Sequence, residues 1–277
     1  MVKKILVFLL SVLFIIQQAQ AVSVAPLIVE INANKAKKNY ISGTIDIQGD
    51  KNQLKRLKVY AVYFKINDKG KIDFLDRNTN DEHNLSKKIR FVPSEFNVLP
   101  GHTQKLRINI PDVNKLPDGE SRALLFIENI DGKEYGIKPS ASNIGAVLVL
   151  KTRMGVPIYV DKGNFTKKGE IEYFKADENK NGKYTEFKIN SSGNSKIRYN
   201  AKIQIIQGKK LIDEYDLTSH AVGDKNFYIS KDKIQTNKIE ANGIYTIKLV
   251  LSYLDEKGKK KFLTKETQLN INNSEKL

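Results

Sequence analysis

The chain has 277 residues, 47 Lys and Arg against 31 Asp and Glu, a formal net charge of +16, and no cysteine. The missing cysteine excludes disulfides, thiol catalysis and Cys-based zinc sites, so each domain must be held by its own apolar core. The charge gives no nucleic-acid signature, because it is mostly Lys, interleaved with acids, and spread along the chain: basic residues outnumber acidic ones 22 to 16 in residues 22–161 and 23 to 15 in residues 162–277.

Residues 1–21 read MVKKILVFLLSVLFIIQQAQA, with Lys3 and Lys4, an apolar run from Ile5 to Ile16, then Ala19-Gln20-Ala21. A charged start, a short apolar stretch and small residues at the cleavage position make a secretory signal peptide. A membrane anchor fits less well, because spanning a bilayer takes about 20 apolar residues. The expectation is a mature chain from residue 22, exported, with no stable membrane insertion after cleavage.

From there the periodicity is that of strands. Ile41, Gly43, Ile45 and Ile47 alternate with polar residues; Leu57, Val59, Ala61 and Tyr63 share one face; Leu106, Ile108 and Ile110 do the same, and so do Ile203, Ile205, Ile247, Leu249 and Leu251. Turn signals recur at Asn67–Gly70, Asp131-Gly132, Asn181-Gly182, Ser192–Asn194, Asn242-Gly243 and Lys257-Gly258, where Asn-Gly and Asp-Gly accept positive φ. Lys259-Lys260-Lys261 follows Asp255–Gly258 and reads as a hairpin tip. No long amphipathic helix is visible. The predicted class is all-β, with two immunoglobulin-like β-sandwich domains over residues 22–161 and 162–277, each the size of a sandwich of about seven strands. The boundary is placed after the apolar-rich run NIGAVLVLKTRMGVPIYV, at the polar break Asp161–Asn164.

FNVLPGHTQKLRINI (96–110) followed by LPDGESRALLFIENI (116–130) resembles the N-terminal domain of the periplasmic pilus-assembly chaperones. The matching positions are Phe96, Leu99, Pro100, Gly101, Gln104, Arg107, Ile108, Leu116, Pro117, Glu120, Leu124 and Phe126. VSVAPLIVEI looks like the first strand of that family, and GAVLVLKTRMGVPIYV like the long last strand of its first domain. The resemblance covers the first half; the second half matches only as a generic sandwich.

It implies two sandwiches meeting at an angle, with the last strand of the first domain lent as an edge to a pilin-like subunit that lacks a strand. The residues implied in partner binding are Ala146, Val147, Leu148, Val149, Leu150, Lys151 and Arg153. The residues alone leave open whether this strand is an exposed edge or ordinary core. The family also anchors a partner carboxylate with two basic residues in the interdomain cleft, one on the first strand and one on the last. Lys151 and Arg153 are available on the last strand, but Pro26–Ile31 offers none and Lys35 is expected in the following turn.

Other constellations are weak. Asp177–Gly182 matches the opening of a calcium loop, but the closing position is Lys188 and the flanks read as strands. His83, His102 and His220 have no metal spacing, there is no nucleophile elbow or phosphate loop, and the acidic group Asp213, Glu214 and Asp216 reads as a solvated strand end. The expectation is therefore a binding protein of the periplasm or beyond it, not an enzyme, with no cofactor, metal or nucleic acid: a chaperone-like protein binding pilus or surface-fibre subunits by strand complementation. The alternative is a secreted structural or adhesive immunoglobulin-like module that recognises its ligand through loops.

Overall fold

The computed structural model describes residues 22–67, 70–136, 147–179, 182–239 and 242–271. The leader 1–21 and Ala146 lie outside the described residues. In chain order the strands of the first half are β1 (Ser23–Ala25), β2 (Val29–Asn32), β3 (Tyr40–Gln48), β4 (Lys55–Ile66), β5 (Ile72–Leu75), β6 (Arg90–Val92), β7 (Glu95–Val98), β8 (Thr103–Pro111), β9 (Gly119–Asn129), β10 (Lys133–Gly136), β11 (Val147–Leu150) and β12 (Arg153–Lys162). The second half holds β13 (Gly169–Asn179), β14 (Gly182–Ser191), β15 (Ile197–Gln207), β16 (Lys210–Val222), β17 (Phe227–Lys233), β18 (Gly243–Leu254) and β19 (Lys260–Ile271). The helical content among the described residues is three short 3-10 turns, and the one at Ala33–Lys35 contains Lys35.

The first half packs the sheet β1-β3-β8-β6 against β2-β12-β9-β4-β5, with β7 also on β4. The second packs β13-β14-β17 against β16-β15-β18-β19. No ladder among the described residues joins the two halves. Alternation builds both interiors: Ile45, Ile47, Leu57, Val59, Leu106, Ile108, Leu125, Val156 and Ile158 meet in one core. Ile189, Tyr199, Ile203, Ile205, Ile247, Leu249 and Leu251 meet in the other.

The two Leu-Pro turns do different work. Leu99–His102 carries the chain from β7, on one sheet, to β8, on the other, with Gly101 at φ +69. Leu116-Pro117 follows the 3-10 turn Val113–Lys115 and opens β9. The first strand is also divided between the sheets: β1 pairs antiparallel with β3, the chain passes Pro26, and β2 then pairs parallel with β12. Lys257-Gly258 is a true hairpin tip between β18 and β19, and Asn179 faces Gly182 across the β13/β14 hairpin, which accounts for the calcium-like stretch. Asp131-Gly132 is not a hairpin turn: it bends the chain between β9 and β10 within one strand direction. Ser192–Asn194 and Asn242-Gly243 lie on connections between sheets rather than in hairpins. The β15/β16 hairpin instead turns at Gly208, φ +60, a Gln-Gly-Lys stretch without the Asn-Gly or Asp-Gly signal.

The outward face of the β9 sheet is unusually apolar. Phe64, Ile66, Leu124, Phe126 and Tyr159 form a second buried cluster outside the sandwich core, and Ala221 of the second half packs against it. β9 is therefore covered on both faces, and its residues from Gly119 to Ile127 are all buried.

Candidate partner-binding edge

β9 and β12 pair antiparallel from Gly119↔Lys162 to Glu128↔Arg153, and the Asn129 amide donates to the Thr152 carbonyl at 2.9 Å. Beyond the Asp131-Gly132 bend the same two chain segments pair again, Lys133↔Leu150 to Gly136↔Val147. The result is one long ribbon that leaves the sandwich. On its outer side, β2 covers only Ile158–Asp161. From Val147 to Pro157 that side has no strand partner among the described residues.

Of the implied binding residues, Val147 and Leu148 lie on β11 opposite Gly136 and Tyr135. Val149 and Leu150 are 47% and 50% exposed. Lys151 is exposed between the two strands, and Arg153 is exposed at the start of β12. Pro157 is a signal that sequence reading passed over. It has no N–H, so a strand tolerates it where that donor is not needed for a ladder, as on an edge.

Arg153 does not sit in a basic cleft. Its guanidinium lies 4.5 Å from the Phe126 ring centre, and Nη1 is 3.5 Å from the Tyr60 hydroxyl, which donates to Glu128 at 2.9 Å. Burial raises the Tyr60 phenol above its usual value, with Arg153 pulling down and Glu128 pushing up. Phe74, on β5, is exposed and packs 5.3 Å from Phe126. An aromatic floor therefore lies beside the start of β12, with Arg153 as its cap.

At the other end of β12 the two halves meet through buried charge. Glu120 (1% exposed) and Arg122 (4%) project from β9, and Lys196 (2%) precedes β15. Lys196 Nζ lies 3.3 Å from Glu120 and 3.0 Å from Glu30 on β2, and 3.6 Å from the centre of the Tyr159 ring. Arg122 contacts Asp224 and lies 3.4 Å from Glu120 Oε1, an ion-pair distance without hydrogen-bond alignment. Ser195 donates to Asp161 at 2.6 Å, and Lys167 pairs with Asp161 at 2.8 Å. Burial works against the charge on Arg122, but Glu120 and Asp224 outweigh it and hold the guanidinium more basic than usual. Burial likewise opposes the charge on Glu30, and Lys196 with Arg198 overcomes it, leaving its carboxyl below the usual range.

The cleft at this seam, about 210 Å³, is lined by Glu30 together with Lys167, Lys196, Arg198 and Lys260. The first strand thus contributes an acid where a base was sought, and the basic residues come from the second half. Sequence reading missed Lys196, Arg198, Asp161 and the burial of Glu120 and Arg122. The available signal was Glu120-Ser121-Arg122, two charges at period two opening an otherwise apolar strand.

No family model matches the chain, and no curated protein matches it in sequence. Solved structures do. The YadV chaperone is 9% identical, covering 89% of this chain and 99% of its own, with a TM-score of 0.48. The Pseudomonas aeruginosa CupB2 chaperone is 11% identical, covering 89% and 100%, at 0.42. The Salmonella enterica SafA pilin in complex with the SafB chaperone gives 12% identity, 92% and 98%, at 0.40. Likeness at this level leaves the site to be judged on the chain's own geometry.

Proposed function

We propose that this protein is a periplasmic chaperone-like protein of pilus or surface-fibre assembly, which binds a pilin-like subunit by lending it the outer edge of β11–β12. The observation that carries the reading is the run from Val147 to Pro157, whose outer side has no strand partner among the described residues. Main-chain groups on such an edge can complete a neighbour's ladder, and alternate side chains can fill its pockets. A long apolar edge invites aggregation, so keeping one needs a use. Val147–Leu150 carries no charge at all.

In this reading Ala146 to Leu150 supply the pairing edge, and Lys151 and Arg153 supply charge at its inner end. In the same reading Arg153, which lies over Phe126 and near the Tyr60 hydroxyl, meets a carboxylate of the subunit bidentately. The work is binding, with no catalytic residue and no cofactor assigned. Among the described residues no helix is long and apolar enough to cross a membrane.

The test combines capture with a direct look at the edge. The chain purified from periplasmic extract should bring down a small β-rich partner, and Leu150→Glu should lose it. In that complex the amides on the outer side of 147–157 should become protected from hydrogen exchange. A captured partner that leaves those amides exchanging as in the free chain defeats the reading. A chain that comes out alone, yet binds a surface ligand through its loops, points to the adhesive module.

A further inference from the structure

The outward face of the other sheet of the first half, β1-β3-β8-β6, carries a feature that strand lending does not use. Ser42 and Thr44 on β3, Arg107 and Asn109 on β8, and Arg90 and Val92 on β6 line a shallow groove of about 540 Å³, within the size range of small-ligand sites. The register sets Ser42 opposite Asn109 and Thr44 opposite Arg107; on the other side Arg90 faces Asn109 and Val92 faces Arg107. Arg90 and Arg107 are therefore diagonal neighbours on one face, close enough for two long side chains to converge.

What distinguishes this ground is that its polar groups are unspent. Arg56, Arg122 and Arg198 hold carboxylates and Arg153 is stacked on Phe126, while Arg77, also without a side-chain partner among the described residues, stands outside this groove. Arg90 and Arg107 have neither an ion-pair nor a hydrogen-bond partner among the described residues, and the side chains of Ser42, Thr44 and Asn109 also make no hydrogen bond there. The face does hold one acid, Asp46, but Lys105 takes it at 2.9 Å. Two guanidinium forks flanked by hydroxyl and amide groups, with no carboxylate to neutralise them, are complementary to a compact anion with several acceptor oxygens. A planar carboxylate occupies one fork; a tetrahedral oxyanion can engage both forks and the flanking hydroxyls together.

We propose that this groove is an anion site for a phosphate group, held between Arg90 and Arg107 with Ser42, Thr44 and Asn109 as flanking donors. It lies on the sheet that does not carry the β11–β12 edge, so it would operate independently of a strand-bound partner. The phosphate could be free or part of a lipid headgroup, and the two sources separate experimentally.

Inorganic phosphate is titrated into the folded chain by calorimetry, and in a second arm the chain is floated with vesicles of phosphatidylcholine mixed with phosphatidylglycerol. Saturable binding is expected for the wild type and for Lys105→Gln, which removes one positive charge from the same face while leaving both arginine forks in place. The double variant Arg90→Gln/Arg107→Gln should bind about tenfold weaker or worse, since each lost fork removes charge-assisted hydrogen bonds. All these side chains are on the outward face, and circular dichroism checks that each variant stays folded. Binding to vesicles alone, with the same dependence on the two arginines, supports the site and assigns it to a headgroup. Equal weakening by Lys105→Gln means non-specific attraction to positive charge and overturns the proposal. So does a double variant that binds like the wild type, absence of saturable binding to both probes, or displacement of phosphate by equimolar acetate.

Discussion

The two ends of the β11–β12 segment were built by opposite rules. Its upstream end, Val147–Pro157, opens with the uncharged apolar run Val147–Leu150 and has a backbone side without a strand partner among the described residues. Its downstream end, Ile158–Asp161, is paired on both sides, by β9 and β2, and finishes in the buried charges of Glu120, Arg122, Asp161 and Lys196. The second half treats its outer strands in the guarded way too. Lys265 of β19 donates to the backbone carbonyls of Ile171 and Glu172, and Asp213 and Glu214 of β16 are held by Lys238 and Lys202. Charge on outer strands discourages stray pairing, so its absence between Val147 and Leu150 stands out within one molecule. The lesson is that stability is concentrated downstream and availability upstream, and each can be attacked without the other.

The largest stability loss should come from the downstream end. Glu120→Ala leaves Arg122 and Lys196 with less counter-charge in a site that water barely reaches, at a cost of about 3–5 kcal/mol. Denaturant unfolding should show a clearly lower midpoint; a midpoint like the wild type's would mean the seam contributes nothing to holding the halves. Gly163→Ala, just past β12, should cost about 1–3 kcal/mol. Gly163 has φ +64, its amide donates to Asn34 Oδ1 and its carbonyl accepts from Asn34 Nδ2, and an added Cβ would fall on the Asp118 carboxylate. Gly101→Ala, also at positive φ but in open space, separates the backbone contribution from the steric one.

A smaller effect follows from pH. Glu30 is held below the usual carboxylate range when folded, so its contribution is present above the unfolded value and is lost as pH falls through the folded one. Wild-type melting temperature should therefore decline more steeply on acidification than that of Glu30→Gln, and the two should converge once Glu30 is protonated. Curves that stay parallel through the acid range would show that Lys196 and Arg198 do not stabilise the fold through this carboxylate.

The strands were legible because alternation is a local property: Ile45 and Ile47, Leu106 to Ile110, and Ile247 to Leu251 each announce a buried face. Turn chemistry was only partly legible. Asn-Gly and Asp-Gly report positive φ or a bend but do not say which strands pair around it, and Asp131-Gly132 became a bend in a ribbon rather than a hairpin. The seam was hidden because Lys196 and Arg198 reach Glu30 from the far half of the chain, and no local pattern links residues so separated. The apolar run at 147–150 could be read as edge or core, since composition fixes neither; that the outer side of the ribbon has no strand partner among the described residues is a property of where β2 begins, at Val29 opposite Ile158.

The smallest stability effect should come from the upstream end, and it is the one on which the comparison turns. Leu150 is half exposed, and the outer side of its strand carries no ladder among the described residues. Replacing it by Glu removes little buried area, and surface changes of this kind stay within about 0.5 kcal/mol. Thermal and denaturant unfolding of Leu150→Glu should overlay the wild type, while its tendency to self-associate at high concentration, measured by light scattering, should fall. A leucine that served the core would behave otherwise: burying a charge there would lower the melting point sharply, and the edge would have to be reassigned as interior. Unchanged stability with reduced self-association would instead show that this strand's apolar character does nothing for the fold that contains it, which leaves an external partner as its physical reason.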